Sequence, residues 1–326
     1  MPLLSVRHLT TAFPVQGTEV PVLQDISVDI ARGETLALVG ESGSGKSLTA
    51  LSLMRLVPPP GRVVAGEVWL EGRNLLALSE HEMDAVRGAR LALVFQEPMS
   101  ALNPVMTIGQ QLVEALEIHQ MGGPDVRRTA LETLAAVRMD RPADRFAQFP
   151  HELSGGLRQR ALIALAIACR PSLVIADEPT TALDVTLQAE ILNLLRQLKR
   201  EFELSLLLVT HDFGVVAHTA DRVAVMYAGR IVEMAPVRAL FRMPAHPYTQ
   251  ALLKAMPGSV HSQGGGMEPI PGQPPAVSLW SAGCAFAPRC AWRHDACAHV
   301  PDLYPVGDGH LSRCHLVEQA ARLATD

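Results

Sequence analysis

Lysine is scarce in this chain of 326 residues. Only Lys46, Lys199 and Lys254 occur, and arginine supplies nearly all of the 28 basic side chains against 33 acidic ones. The formal net charge of −5 gives no global basic field, which argues against a nucleic-acid binder. The lysine shortage itself reads as a compositional habit. A membrane-spanning run is lacking too. The longest tempting apolar stretch, residues 161–169, lies between Arg160 and Arg170 and is about half the length a bilayer requires, so it is expected to be a buried helix. The first residues, Met1-Pro2-Leu3-Leu4-Ser5-Val6-Arg7, show no basic start, apolar stretch and small-residue cleavage site of a secretory signal. A cytosolic chain that meets membrane only through a partner is expected. Five cysteines, four of them within residues 284–314, suit a compartment where structural disulfides are rare.

What is present is an ordinary packed composition, 48% hydrophobic and 19% charged, enough for one large domain with an appendage or for two modest ones. Up to about Ala235, short β-branched runs alternate with helical patterns, which predicts an α/β domain with a mainly parallel sheet. Strands are expected at residues 3–9, 27–30, 35–39, 91–95, 173–176 and 206–209. Ile191, Leu194, Leu195 and Leu198 fall at i, i+3, i+4, i+7, so the helix after Asp184 buries one face, and Asp184 is placed to cap it. Residues 107–137 read as helix broken at Gly122-Gly123-Pro124, part of a helical subdomain spanning about 97–170. Composition shifts after Met256, giving a first domain over 1–256 and a C-terminal extension over 257–326. Gly264-Gly265-Gly266 with Pro269, Pro271, Pro274 and Pro275 marks the connection. The tail beyond it is too short for much of a hydrophobic core of its own.

Three motifs carry chemistry. Gly40-Glu41-Ser42-Gly43-Ser44-Gly45-Lys46-Ser47 fits G-x-x-x-x-G-K-[ST] between a predicted strand and a predicted helix that runs on through Leu48. Its glycines let backbone N–H groups curl around phosphate oxygens, and the helix start adds a positive dipole end. Lys46 is expected to reach the β- and γ-phosphates, and the Ser47 hydroxyl to ligate Mg²⁺. Residues 173–178 form an apolar run ending in Asp177-Glu178, where Asp177 would hold Mg²⁺ and Glu178 would polarise an attacking water and take its proton. Between the two lies Leu153-Ser154-Gly155-Gly156-Leu157-Arg158-Gln159-Arg160. Ser154 is a good N-cap, and the glycines expose N–H groups at a helix start that can receive an anion.

In this order and spacing the motifs resemble those of the ATP-binding subunit of ABC transporters, a P-loop NTPase. The resemblance implies ATP and Mg²⁺ as ligands. It makes Gln96 the glutamine-loop residue that touches Mg²⁺ and the water, and His211 the switch histidine at the γ-phosphate. Phe13 would stack under adenine, although a core strand Phe reads equally well. Leu153, Ser154, Gly155, Gly156 and Gln159 form the signature, which in the family presses on the nucleotide held by a second ATPase subunit. Ala182-Leu183-Asp184 matches the D-loop along that dimer interface. Phe95-Gln96-Glu97-Pro98-Met99-Ser100-Ala101-Leu102-Asn103-Pro104 and His246-Pro247-Tyr248-Thr249 are similar to the oligopeptide/dipeptide/nickel importer group. That branch implies an ATP-hydrolysing subunit at the cytoplasmic face of the inner membrane. Its partners would be a second, non-identical ATPase subunit, two membrane permeases and an extracytoplasmic solute-binding protein. The expected cargo is di- or oligopeptide, with nickel, glutathione or another small solute as alternatives.

The remaining cysteines, Cys284, Cys290, Cys297 and Cys314, are spaced C-x5-C-x6-C-x16-C and could bind an iron–sulfur cluster or Zn²⁺, or remain free thiols. The resemblance favours [4Fe–4S]; His294, His299, His310 and His315 leave mixed ligation open. Cys169 is expected to be a buried core thiol. The rival from another class is a soluble, non-transport ABC ATPase of DNA repair or translation. No long coiled-coil insertion and no second ATPase domain supports it. A further rival treats the tail as a redox- or metal-responsive regulatory module.

Overall fold

A computed structural model describes residues 1–181, 183–256, 269–275 and 283–317. The triglycine of the connection and Ala182 of the D-loop lie outside the described residues. The chain divides into two compact units, one made of residues 1–4, 29–35 and 69–209, the other of residues 5–28, 36–68 and 210–326.

The first unit is built on parallel strands. Leu91–Val94 pairs with Leu173–Asp177, and Leu173–Asp177 with Ser205–Thr210, in unbroken register. Every residue of the three is buried, as expected for strands covered on both faces. Val185–Glu201 turns Ile191, Leu194, Leu195 and Leu198 inward, and Asp184 caps it by accepting the Leu187 N–H at 2.9 Å. The stretch 107–137 is two helices, Ile108–Ile118 and Val126–Ala136, separated at the predicted Gly-Gly-Pro break. Thr107 and Gln110 form a capping box at the first of them. The apolar run beginning at Ala161 belongs to the helix Gly155–Ile167 and is mostly buried. Among the described residues no helix is long and apolar enough to cross a membrane.

In the second unit Thr35–Val39 lies parallel to Arg222–Tyr227, and antiparallel strands continue outward from there. Arg230–Pro236 pairs with Arg222–Tyr227, His310–Ser312 with Arg230–Pro236, and Tyr304–Gly307 with His310–Ser312. The last two strands come from the cysteine-bearing tail. Phe286 of that tail joins a core of Val39, Tyr227, Tyr248 and Leu253, with Cys284, Ala285 and Cys290 packed against it. The tail therefore shares the core of the unit that carries residues 40–47, which its own length could not supply. The sequence hides this because the joining strands are four and three residues long.

Glu233 ties the tail down. It is fully buried on Arg230–Pro236 and accepts three hydrogen bonds: from the Ala245 N–H at 2.7 Å, the His246 N–H at 2.9 Å, and the ring of His310 at 2.7 Å. Burial, opposed by Glu233, pushes His246 down to about 4, and its Nδ1 accepts the Tyr248 N–H at 3.1 Å. On the other side, Arg313 donates to the carbonyls of Ile231 and Pro301 and to Asp25. Glu233→Ala would strand the buried His246 N–H, the half-buried Ala245 N–H and an imidazole at once. It should cost about 3 kcal/mol or more in denaturant unfolding of the full chain; an unchanged midpoint would contradict this role.

Candidate functional site: a nucleotide loop, an acidic strand end and a cysteine cavity

The loop of residues 40–47 leaves the buried strand Thr35–Val39 and enters the helix Lys46–Leu53. At Gly40 a Cβ would sit 2.3 Å from the Met226 carbonyl oxygen, so no other residue fits there. Gly45 has φ 104° and forms the N-cap, where a Cβ would meet Leu23 at 2.7 Å. Lys46 is 5% exposed and bends back on its own loop, donating to the carbonyls of Gly40 at 2.9 Å and Glu41 at 3.0 Å. The Ser44 hydroxyl is buried without a hydrogen-bond partner among the described residues, while Ser47 is exposed at the helix start. A cradle closed to side chains, a turned-in lysine and an unsatisfied hydroxyl fit a phosphate ligand with its Mg²⁺. Phe13 lies in the same unit, half-buried, its ring against Gly61.

In the other unit, the strand Leu173–Asp177 ends in buried Asp177, and the chain turns at Glu178 with φ 45°. A left-handed glutamate costs about 1–2 kcal/mol, a strain typical of functional positions. Its N–H donates to the Val209 carbonyl at 2.9 Å, which fixes the backbone. Its carboxylate accepts from Gln96 Nε2 at 3.1 Å and from the Thr181 hydroxyl at 2.8 Å. The glutamine and the acid, 82 positions apart, are thus brought together. Thr181 was not among the expected site residues. Its position three after Glu178, where a short hydroxyl can reach back, is the signal that could have found it.

The signature turn lies in this unit as well. Ser154 caps the helix Gly155–Ile167 by accepting the Leu157 N–H at 3.4 Å. A Cβ on Gly156 would lie 2.8 Å from Leu187, so the turn packs against the helix that Asp184 caps. Gln159 is 2% exposed, with its Nε2 unpartnered among the described residues. Arg158 and Arg160 do not serve the helix start. Arg158 donates to the Pro150 and Leu153 carbonyls, and Arg160 to the Val137 carbonyl and Glu190. Arg158 braces the turn, while Arg160 ties its helix to the helices Val126–Ala136 and Val185–Glu201. His211 is exposed, just ahead of Asp212, which caps the helix Phe213–Thr219 through the N–H groups of Gly214 and Val215.

Cys284, Cys290, Cys297 and Cys314 line one small cavity with Phe286 and His294. All four are free thiols. Burial pushes Cys284 and Cys290 up and Cys314 up to about 11. Among the described residues no group of three or more His, Cys, Asp or Glu side chains stands ready to hold a metal ion. The four thiols gather around one cavity, and their arrangement does not show the expected cluster or zinc site. His310, named as a mixed-ligand candidate, is instead held by Glu233, and His299 is exposed, its carbonyl hydrogen-bonded to the His315 ring. Cys169 is buried, as expected.

Comparison with known proteins agrees with these features. A family model described as ABC transporter matches residues 23–181, and one described as oligopeptide/dipeptide transporter, C-terminal region, matches residues 232–297. A peptide import ATP-binding protein of Brucella melitensis is 47% identical, over 96% of each chain. The dipeptide transport ATP-binding protein DppD of Bacillus subtilis is 44% identical, over 99% of this chain and 97% of its own. Among solved structures, the dimeric ATP-binding cassette MJ0796 in a post-hydrolysis state with ADP and Pi superposes with a TM-score of 0.64 at 28% identity. That match covers 72% of this chain and 99% of that one. The chain belongs to the ABC transporter family of ATPases, in the group that carries the oligopeptide/dipeptide transporter C-terminal region.

Proposed function

We propose that this chain hydrolyses ATP to power uptake of di- or oligopeptides through a bacterial importer, docked on two membrane permeases at the cytoplasmic face. The observation that carries the cargo class is whole-length similarity to peptide and dipeptide import ATP-binding proteins, C-terminal region included. That region also counts against a soluble repair or translation ATPase, and the names of the relatives favour peptide over nickel or glutathione. The extracytoplasmic binding protein would choose the cargo.

In this reading the residues of loop 40–47 wrap the phosphates of ATP with Leu48 behind them, and Phe13 lies under the adenine. Lys46 turns from its loop carbonyls to the β- and γ-phosphates. Ser47, Asp177 and Gln96 are the residues that would hold Mg²⁺, which would neutralise phosphate charge. Glu178 is the base, oriented by Gln96 and Thr181, and His211 contacts the γ-phosphate. Leu153, Ser154, Gly155, Gly156 and Gln159 serve the nucleotide of a second, non-identical ATPase subunit, with Asp184 at the interface. The dimeric state of the related cassette supports that pairing. Glu178→Gln keeps the shape of the side chain and removes its basicity. Turnover should fall at least about a hundredfold, while ATP still brings the ATPase subunits together. Wild-type hydrolysis by this variant would rule out Glu178 as the base.

The four thiols around one cavity support a [4Fe–4S] cluster, with Zn²⁺ as the alternative; each would require thiolates, which burial disfavours until a cation is present. Anaerobically purified chain should hold about four irons and show thiolate-to-iron absorption. A preparation with neither iron nor zinc would overturn the ligand assignment.

A further inference from the structure

The cysteine-bearing tail does more than share a core: it grips the nucleotide loop. Arg289, between Pro288 and Cys290, meets the Glu41 carboxylate with both terminal nitrogens, Nη1 to Oε2 at 2.7 Å and Nη2 to Oε1 at 3.0 Å. This is not a solvated surface pair, because the Arg289 side chain is 5% exposed and that of Glu41 25%. The guanidinium is oriented from every side. Its Nε donates to the Pro271 carbonyl at 2.9 Å, its Nη1 to the Tyr227 hydroxyl at 3.4 Å, and its centre lies 5.8 Å and 5.9 Å from the rings of Tyr227 and Phe286. A planar fork locked in this way presents two parallel donors with little freedom left to lose.

What it holds is the second residue of the phosphate loop, and every polar group of that residue is engaged. The Glu41 N–H donates to the Tyr248 hydroxyl at 2.9 Å. Its carbonyl accepts from Lys46 Nζ at 3.0 Å and from the Ser44 N–H at 3.2 Å. Its carboxylate goes to Arg289. Glu41 is therefore the point at which the tail, the helix Pro247–Lys254 and the phosphate-binding lysine meet. The position of its carbonyl sets where Lys46 rests. The tail end of this linkage is stiff as well, because Ala287, Arg289 and Cys290 donate in turn to the carbonyls of Cys284, Phe286 and Ala287.

We propose that Arg289 is a positioning residue for the nucleotide site, through which the cysteine-bearing tail sets the affinity of the loop for MgATP by holding Glu41. The proposal rests on reading residues 40–47 as the ATP loop. The neighbouring thiols give it a direction: displacement of Cys290 carries Arg289 with it and loosens the loop.

The test is equilibrium binding of trinitrophenyl-ATP with Mg²⁺ to the purified full chain, together with KM and kcat for ATP in the assembled transporter. Arg289→Ala should weaken binding and raise KM about tenfold, within the usual range of coupling between sites, with a smaller change in kcat. Arg289→Lys should recover little, since an ammonium cannot make the bidentate contact. Arg293→Ala, an exposed change in the same segment, should leave affinity unchanged. If Arg289→Ala fails to fold, Glu41→Gln decides, because it cuts the same contact from the loop side and should weaken binding comparably. Where both fold, the double variant should be no worse than either single one. Wild-type affinity in Arg289→Ala or Glu41→Gln would overturn the inference, leaving Arg289 an anchor for the tail. Failure of the wild-type chain to bind the probe at all would overturn the reading of the loop itself.

Discussion

A loop that binds phosphate with its backbone must be held open by something other than its own side chains, and much of this molecule follows from that. Gly40 presses against the Met226 carbonyl, and Gly45 adopts a conformation that side chains avoid. Such a turn has few contacts of its own to keep it in shape. Here the shape comes from outside: the buried strand before it, the helix after it, the Tyr248 hydroxyl on one N–H and the Arg289 fork on one carboxylate. The tail that supplies Arg289 is in turn fastened by Glu233 and Arg313. Loop, core and extension are one mechanical object.

The acidic half follows the same logic with different materials. Glu178 sits in a strained backbone conformation that the pairing of Leu173–Asp177 with Ser205–Thr210 enforces, and its carboxylate is pointed by Gln96 and Thr181. The signature turn is braced by Arg158 on the Leu153 carbonyl and by Gly156 against Leu187.

Most of the local structure around the motifs was legible in the sequence because it resides in short, contiguous stretches whose spacing carries meaning. The loop glycines, the N-caps at Ser154 and Asp184, the broken helix at Gly122-Gly123 and the apolar face of Val185–Glu201 all follow from local rules. What local rules could not reveal was contact across distance. Arg289 reads as a tail arginine beside a cysteine, yet its partner is 248 positions away. The strand His310–Ser312 is too short to show a period, and only its pairing with Arg230–Pro236 makes it part of the fold. Gln96 and Glu178 were each singled out, and their hydrogen bond emerged only in three dimensions. The four cysteines were legible as a group in the tail; the cavity they line was not.

The central claim is a division of labour: the chain binds one ATP with its own loop and completes another with its signature turn. Ser154→Arg tests it most directly, by comparing nucleotide affinity of the isolated chain with turnover of the transporter that contains it. The account predicts unchanged affinity of the isolated chain and a loss of turnover. Weakened nucleotide binding by the isolated, folded variant would place Ser154 in the chain's own site and contradict it.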